Sequence, residues 1–235
     1  MNKNRRKKSI ICKKCNFENK KTILDCENCS RCLNIFTYIV NNIDESLSYI
    51  IYLMTFEKIM FNLLLIDFDE TIAFNMDTIT KINKYEPNFY DMNNIMKNII
   101  LKKIGSYNVI KNIPNLFSLF KNEQIFIVSR GLNYHRDGIV NILSETKKSL
   151  NVIKYIGDNN RQKNKLDLFF EKNPKYLNKD ITLVFMDDNV FEHLSIIEKY
   201  KVYPRIKMYC FLINWKNIKS YDKEIQEKIK EFQKI

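Results

Sequence analysis

Five short apolar runs set the tightest constraint on what this chain can fold into: Leu63–Ile66, Ile125–Val128, Val152–Ile156, Leu183–Met186 and Met208–Ile213. Segments with helical periodicity separate them, at Asn115–Phe120, Gly138–Leu150, Leu166–Glu171 and Phe191–Tyr200. A charged amphipathic stretch, Tyr221–Ile235, closes the sequence. Strands buried on both faces read as continuous apolar runs, and parallel neighbours need a long crossover, usually a helix. The alternation therefore predicts an α/β domain over residues 62–215, with five parallel strands and helices on both faces. Ligands of such sheets bind beyond the carboxyl ends of the strands.

Those ends carry chemistry. The first strand runs into Asp67-Phe68-Asp69-Glu70-Thr71, the second into Ser129-Arg130-Gly131 and the fourth into Asp187-Asp188-Asn189. A single Asp-x-Asp is weak evidence, because aspartate is common in turns and at strand ends. Carboxylates from two separate strands that meet at one edge repel each other, and a cation removes the penalty. Hard oxygen ligands point to Mg2+, which binds one or two carboxylates together with a substrate phosphate.

With these motifs in order, residues 62–215 resemble the haloacid dehalogenase (HAD) superfamily of phosphotransferases. Leu63-Leu64-Leu65-Ile66-Asp67-Phe68-Asp69-Glu70-Thr71 matches its first motif, hhhhDxDxT. The resemblance implies a HAD-like Rossmannoid sheet and a Mg2+-dependent phosphatase. Asp67 would be the nucleophile and Asp69 the acid/base, with Ser129 binding phosphoryl oxygens and a lysine completing the set. Lys165 fits that lysine, with Lys163 as the alternative. Asp67, Asp69, Asp187 and Asp188 would surround the magnesium, Asp188 in the usual ligand position and Glu192 following at a familiar spacing. Glu70 is the variant found in carboxy-terminal-domain protein phosphatases, where small-molecule members more often have glycine. Arg130 and His135 lie near the expected site, but no spacing rule supports either.

About 53 residues separate Thr71 from Ile125, enough for a flap and one helix. The later connections leave no room for a second cap domain. The site is expected to be capless or to carry a short helical insert around Tyr90–Ile104. An open site suits a phosphorylated macromolecule, either a phosphoprotein or a nucleic-acid phosphate end, because a bulky substrate can then exclude water where no lid closes. The alternatives are a small-molecule or nucleotide phosphatase and a non-catalytic binding protein on the same scaffold.

Five of the six cysteines fall between positions 12 and 32. Cys12-x2-Cys15, ten residues, then Cys26-x2-Cys29 is the spacing of a small zinc module, with Cys32 able to replace Cys29. So short a segment has no core of its own, and Zn2+ would supply its folding energy. The pattern, with Asn19, resembles the Ran-binding-protein type of zinc finger. Its tryptophan before the first cysteine is Ile10 here. Ubiquitin-binding members carry Thr-Phe where this chain has Asn16-Phe17, so RNA or DNA is the preferred ligand over ubiquitin. Lys13, Lys14, Lys20 and Lys21 favour phosphate contacts.

Thirty-nine Lys and Arg against 27 Asp and Glu leave a net charge of +12, which favours anionic partners. Isoleucine (34), lysine (32) and asparagine (30) are all abundant, so part of that charge is compositional bias. The basic start leads into Cys12 and not into an apolar segment, which argues against a signal peptide. No apolar run is long enough to span a bilayer. Reduced cysteines and these features suggest an intracellular protein, cytoplasmic or nuclear. The expected organisation is a basic arm and finger (1–32), a helical connector (33–61), the α/β domain (62–215) and a C-terminal helix (216–235). Cys210, in an apolar run, is expected in the core.

Overall fold

The structure, a computed structural model, describes residues 9–11, 18–20, 35–75, 101–104, 107–130, 154–157, 162–199, 203, 205–214 and 222–235. Strands β1 (Ser9–Ile11) and β2 (Glu18–Lys20) form an antiparallel pair with Ile10 opposite Asn19. The larger unit follows, with β3 (Ile35–Val40), α1 (Ile43–Thr55), β4 (Leu63–Ile66), β5 (Ala73–Asn75), β6 (Leu101–Ile104), β7 (Tyr107–Ile110) and α2 (Ile113–Ser118). It continues through β8 (Ile125–Ser129), β9 (Lys154–Gly157), α3 (Lys165–Lys172), β10 (Ile181–Asp187), α4 (Val190–Glu198), β11 (Ile206–Ile213) and α5 (Lys223–Lys234).

The main sheet has the order β3-β11-β10-β4-β8-β9, and every neighbouring pair is parallel. From β4 the chain builds outwards through β8 and β9, then returns to β4's other side with β10. Adjacent β4 and β10 therefore flank the point where strand order reverses, which is where crevices open at the carboxyl edge of such sheets.

Alternation sorts the side chains between two layers. Leu64, Ile66, Val184 and Met186 face α1 and α2 through Ile43, Ile50, Leu116 and Phe117. Leu63, Leu65, Leu183 and Phe185 face the other layer, through Leu166 and Phe169 of α3, Ile196 of α4 and Phe232 of α5. Cys210 is fully buried in this second layer, as expected.

All five expected strands are present, but the sheet has six. The connector expected over 33–61 is not merely helical, because Ile35–Val40 pairs with Met208–Ile213 as an edge strand. Its sequence, Ile-Phe-Thr-Tyr-Ile-Val, is all β-branched or aromatic, and α1 behind it covers the core. Both belong to the α/β unit. The helical insert drawn to Ile104 also needs correction, since Leu101–Ile104 is strand, paired with β7 in an antiparallel three-stranded sheet with β5. The expected helix Gly138–Leu150 lies outside the described residues. Among the described residues, no helix is long and apolar enough to cross a membrane.

Candidate active site

Three chain segments converge at the carboxyl edge. The amide of Asp67 donates to the Met186 carbonyl at 2.9 Å, which ties the end of β4 to β10. The chain then turns back at once. Ile72 and Ala73 both donate to the Phe68 carbonyl (2.9 and 3.1 Å), and Glu70 donates to that of Ala73 (2.8 Å). Closing this turn puts Glu70 in the left-handed region at φ 56°, a conformation that costs a residue with a Cβ about 1–2 kcal/mol.

The end of β10 is held from its far side. The Asn189 amide donates to Asp187 Oδ1 at 2.9 Å, while the Asn189 side chain caps α4 by accepting from the Phe191 amide at 2.9 Å. His193 Nε2 lies 3.1 Å from the Asp187 carbonyl oxygen. Burial drops this imidazole to about 4, so it is neutral near pH 7. The third segment is the start of α3. There Asn164 caps the helix by accepting from the Asp167 amide at 2.8 Å, which sets Lys165 as its first residue.

Lys165 Nζ lies 2.8 Å from Asp67 Oδ1 and 2.7 Å from Asp187 Oδ2, with all three side chains almost fully buried. Oxygens of Asp67, Asp187 and half-buried Asp188 lie within 4.8 Å of one another. Desolvation, opposed by Lys165 and reinforced by Asp187, pushes Asp67 up to about 7. Desolvation together with Asp187, Asp67 and Glu70 pushes Asp188 well above the usual carboxylate range. Burial disfavours the Lys165 ammonium, but Asp187 and Asp67 outweigh it and shift its pKa upward.

Six carboxylates (Asp67, Asp69, Glu70, Asp187, Asp188, Glu192) and two cations (Lys165, Arg130) line one pocket of about 440 Å3. With all three clustered acids ionised, one lysine leaves negative charge unbalanced, and hard carboxylate oxygens are the donors a divalent cation takes. These three carboxylates could hold a metal ion.

Glu192 is already engaged. It forms an ion pair with Arg130, accepts from Arg130 Nε at 2.7 Å and accepts from the Lys165 amide at 3.3 Å. Arg130 also donates to the Lys163 carbonyl at 2.7 Å. These contacts tie the ends of β8, α3 and α4 together beside the cluster.

The structure brings together Asp67, Lys165, Asp187 and Asp188. Asp69 lines the same pocket but is not one of the three clustered acids. Ser129 is buried at the end of β8. Lys163 instead pairs with Glu171 at the surface. Cys12, Cys15, Cys26, Cys29, Cys32 and His135 lie outside the described residues. Sequence reasoning missed Asn214, Leu212, Ile225 and Ile229, which also line the pocket. Asn214 directly follows β11, so the carboxyl-edge rule was the signal that could have found it. No protein-family model matches the chain, and no curated protein or solved structure matches it.

Proposed function

We propose that the chain is a Mg2+-dependent phosphomonoester hydrolase of the haloacid dehalogenase type. The observation that carries this reading is Lys165 between Asp67 and Asp187, with Asp188 adjoining, at the carboxyl ends of neighbouring parallel strands. Asp67, Asp187 and Asp188 would hold the ion. Bound there, Mg2+ would offset the repulsion between a carboxylate nucleophile and a phosphate dianion.

The chain's own groups supply the rest. Asp67 attacks phosphorus and forms an aspartyl-phosphate as the P–O bond to the leaving alcohol breaks. Asp69 gives that oxygen its proton, then takes one from the water that hydrolyses the intermediate. Ser129 binds phosphoryl oxygens, and Lys165 offsets charge on the phosphoryl group and orients Asp67. The raised pKa of Asp67 supports a cation requirement, because a protonated carboxyl is a poor nucleophile.

The substrate is a phosphorylated macromolecule, a phosphoprotein or a nucleic-acid phosphate end, and the net charge of +12 supports an anionic one. The N-terminal segment is a Zn2+ module held by Cys12, Cys15, Cys26 and Cys29, or Cys32 in place of Cys29, that recruits this substrate through RNA or DNA contacts. Support for it is the cysteine spacing alone. Metal analysis of the reduced protein should find one zinc per chain, diminished in Cys12→Ser.

Hydrolysis of a generic aryl phosphate tests the catalytic reading. Activity should require Mg2+ and vanish with a chelator. No hydrolysis of aryl phosphates, nucleotides, phosphopeptides or phosphorylated oligonucleotides with Mg2+ would leave only the non-catalytic reading.

A further inference from the structure

The C-terminal helix follows the α/β domain in sequence, yet it walls the pocket of that domain. Helix α5 carries only three apolar residues, Ile225, Ile229 and Phe232, spaced four and three apart so that they share one face. Phe232 anchors the helix. It is fully buried, with its ring centroid 5.0 Å from that of His193 in α4. The other two line the pocket beside the acid cluster. Ile229, 2% exposed, offers little surface. Ile225 is only half-buried, and its backbone is held, because its amide donates at 2.9 Å to the Asp222 carboxylate that caps α5. Phe191, 41% exposed, lines the same pocket from the first turn of α4, where the Asn189 side chain holds its amide in the same way. Two capped helix starts therefore present accessible apolar side chains to the pocket. Its volume of about 440 Å3 lies within the roughly 300–1,000 Å3 of small-molecule sites, so it has room for more than a phosphoryl group. Covering apolar surface that faces water is favourable in proportion to its area.

We propose that α5 is the wall against which the leaving group rests, and that Ile225, together with Phe191, discriminates between leaving groups by covering an apolar body. The C-terminal helix then does at this open site what an inserted cap would do elsewhere. The wall rests on the hydrolase reading for the seat of the phosphoryl group, so its test reads binding and not turnover.

Full-length wild-type protein is titrated in Mg2+ with phenylphosphonate and with methylphosphonate, which share a headgroup and have no ester bond to break. The phenyl ligand should bind at least about fivefold more tightly. Ile225→Ala should reduce that preference at least about threefold and leave the affinity for methylphosphonate unchanged. Alanine suits a helical turn, and Ile225→Val, which removes one methylene, should lose part of the preference even where Ile225→Ala misfolds. Equal weakening of both ligands by Ile225→Ala would make Ile225 a structural support and overturn the proposal, as would a preference unchanged in both variants. A wild type that binds the two phosphonates equally would overturn the wall and leave the phosphoryl seat standing. Binding of neither would overturn wall and seat together. An Ile225-sensitive preference in a protein that hydrolyses no phosphomonoester would remove the hydrolase reading and keep the wall.

Discussion

Lys163 pairs with Glu171 at 2.8 Å where the two side chains are 43% and 54% exposed. Two residues on, Lys165 is 3% exposed between Asp67 and Asp187 at 2.8 and 2.7 Å. The distances match, but the surroundings do not. Water screens the surface pair and leaves it worth about 0–1 kcal/mol. At the carboxyl edge of the sheet the three side chains are almost fully buried, so each charge depends on its neighbours and a single deletion leaves the others uncompensated. The same residue type thus sits at the surface just before a helix in one place and holds buried acids together in the other.

Replacing each lysine in turn gives the largest expected contrast. Lys165→Met should destabilise the metal-free protein by about 3–5 kcal/mol, as expected for breaking a buried ion pair. Lys163→Met should cost less than about 1 kcal/mol. Urea unfolding without metal measures both, and equal losses would break the comparison.

Titration sharpens it next. Asp67 holds its proton up to about pH 7 in the folded protein, against 3.8 when unfolded. The folded state therefore binds more protons in that window, and its stability falls as pH rises from about 4 to 7. His193 acts in the opposite sense. Its folded value of about 4 lies below the ordinary 6.5, so its contribution grows as pH rises from 4 to 6.5. Without metal the two oppose each other. Saturating Mg2+ should hold Asp67 ionised, remove the first contribution and make stability rise more steeply with pH across 4–6.5. Identical pH profiles with and without Mg2+, from denaturant unfolding, would contradict a cation at this cluster.

The smallest effect concerns the turn after β4. Glu70→Gly removes the Cβ from a position at φ 56° and should stabilise the fold by about 0.5–1 kcal/mol, measured by thermal unfolding. A loss would show that the Glu70 side chain contributes more than its backbone costs.

Much of the carboxyl edge was legible because strand, turn and acid follow one another in sequence at Asp67 and Asp187. Lys165 was legible only as one of two candidates. With 32 lysines in the chain, spacing cannot say which is buried. Asn164 could have decided it, since a capping side chain marks the next residue as the first of the helix. The edge strand Ile35–Val40 was obscured by its position between the cysteine-rich segment and a clear helix. Asn214 carries no local pattern in a chain with 30 asparagines; its place depends on β11 ending where it does.

The central claim is that Asp67 carries the phosphoryl group. Wild-type protein mixed with a phosphomonoester and Mg2+, quenched in acid and reduced with borohydride should yield a modified peptide that maps to Asp67. Asp67→Asn should yield none and lose at least two to three orders of magnitude in turnover. Turnover with the label on another residue, or near-wild-type Mg2+-dependent turnover by Asp67→Asn, would contradict the account.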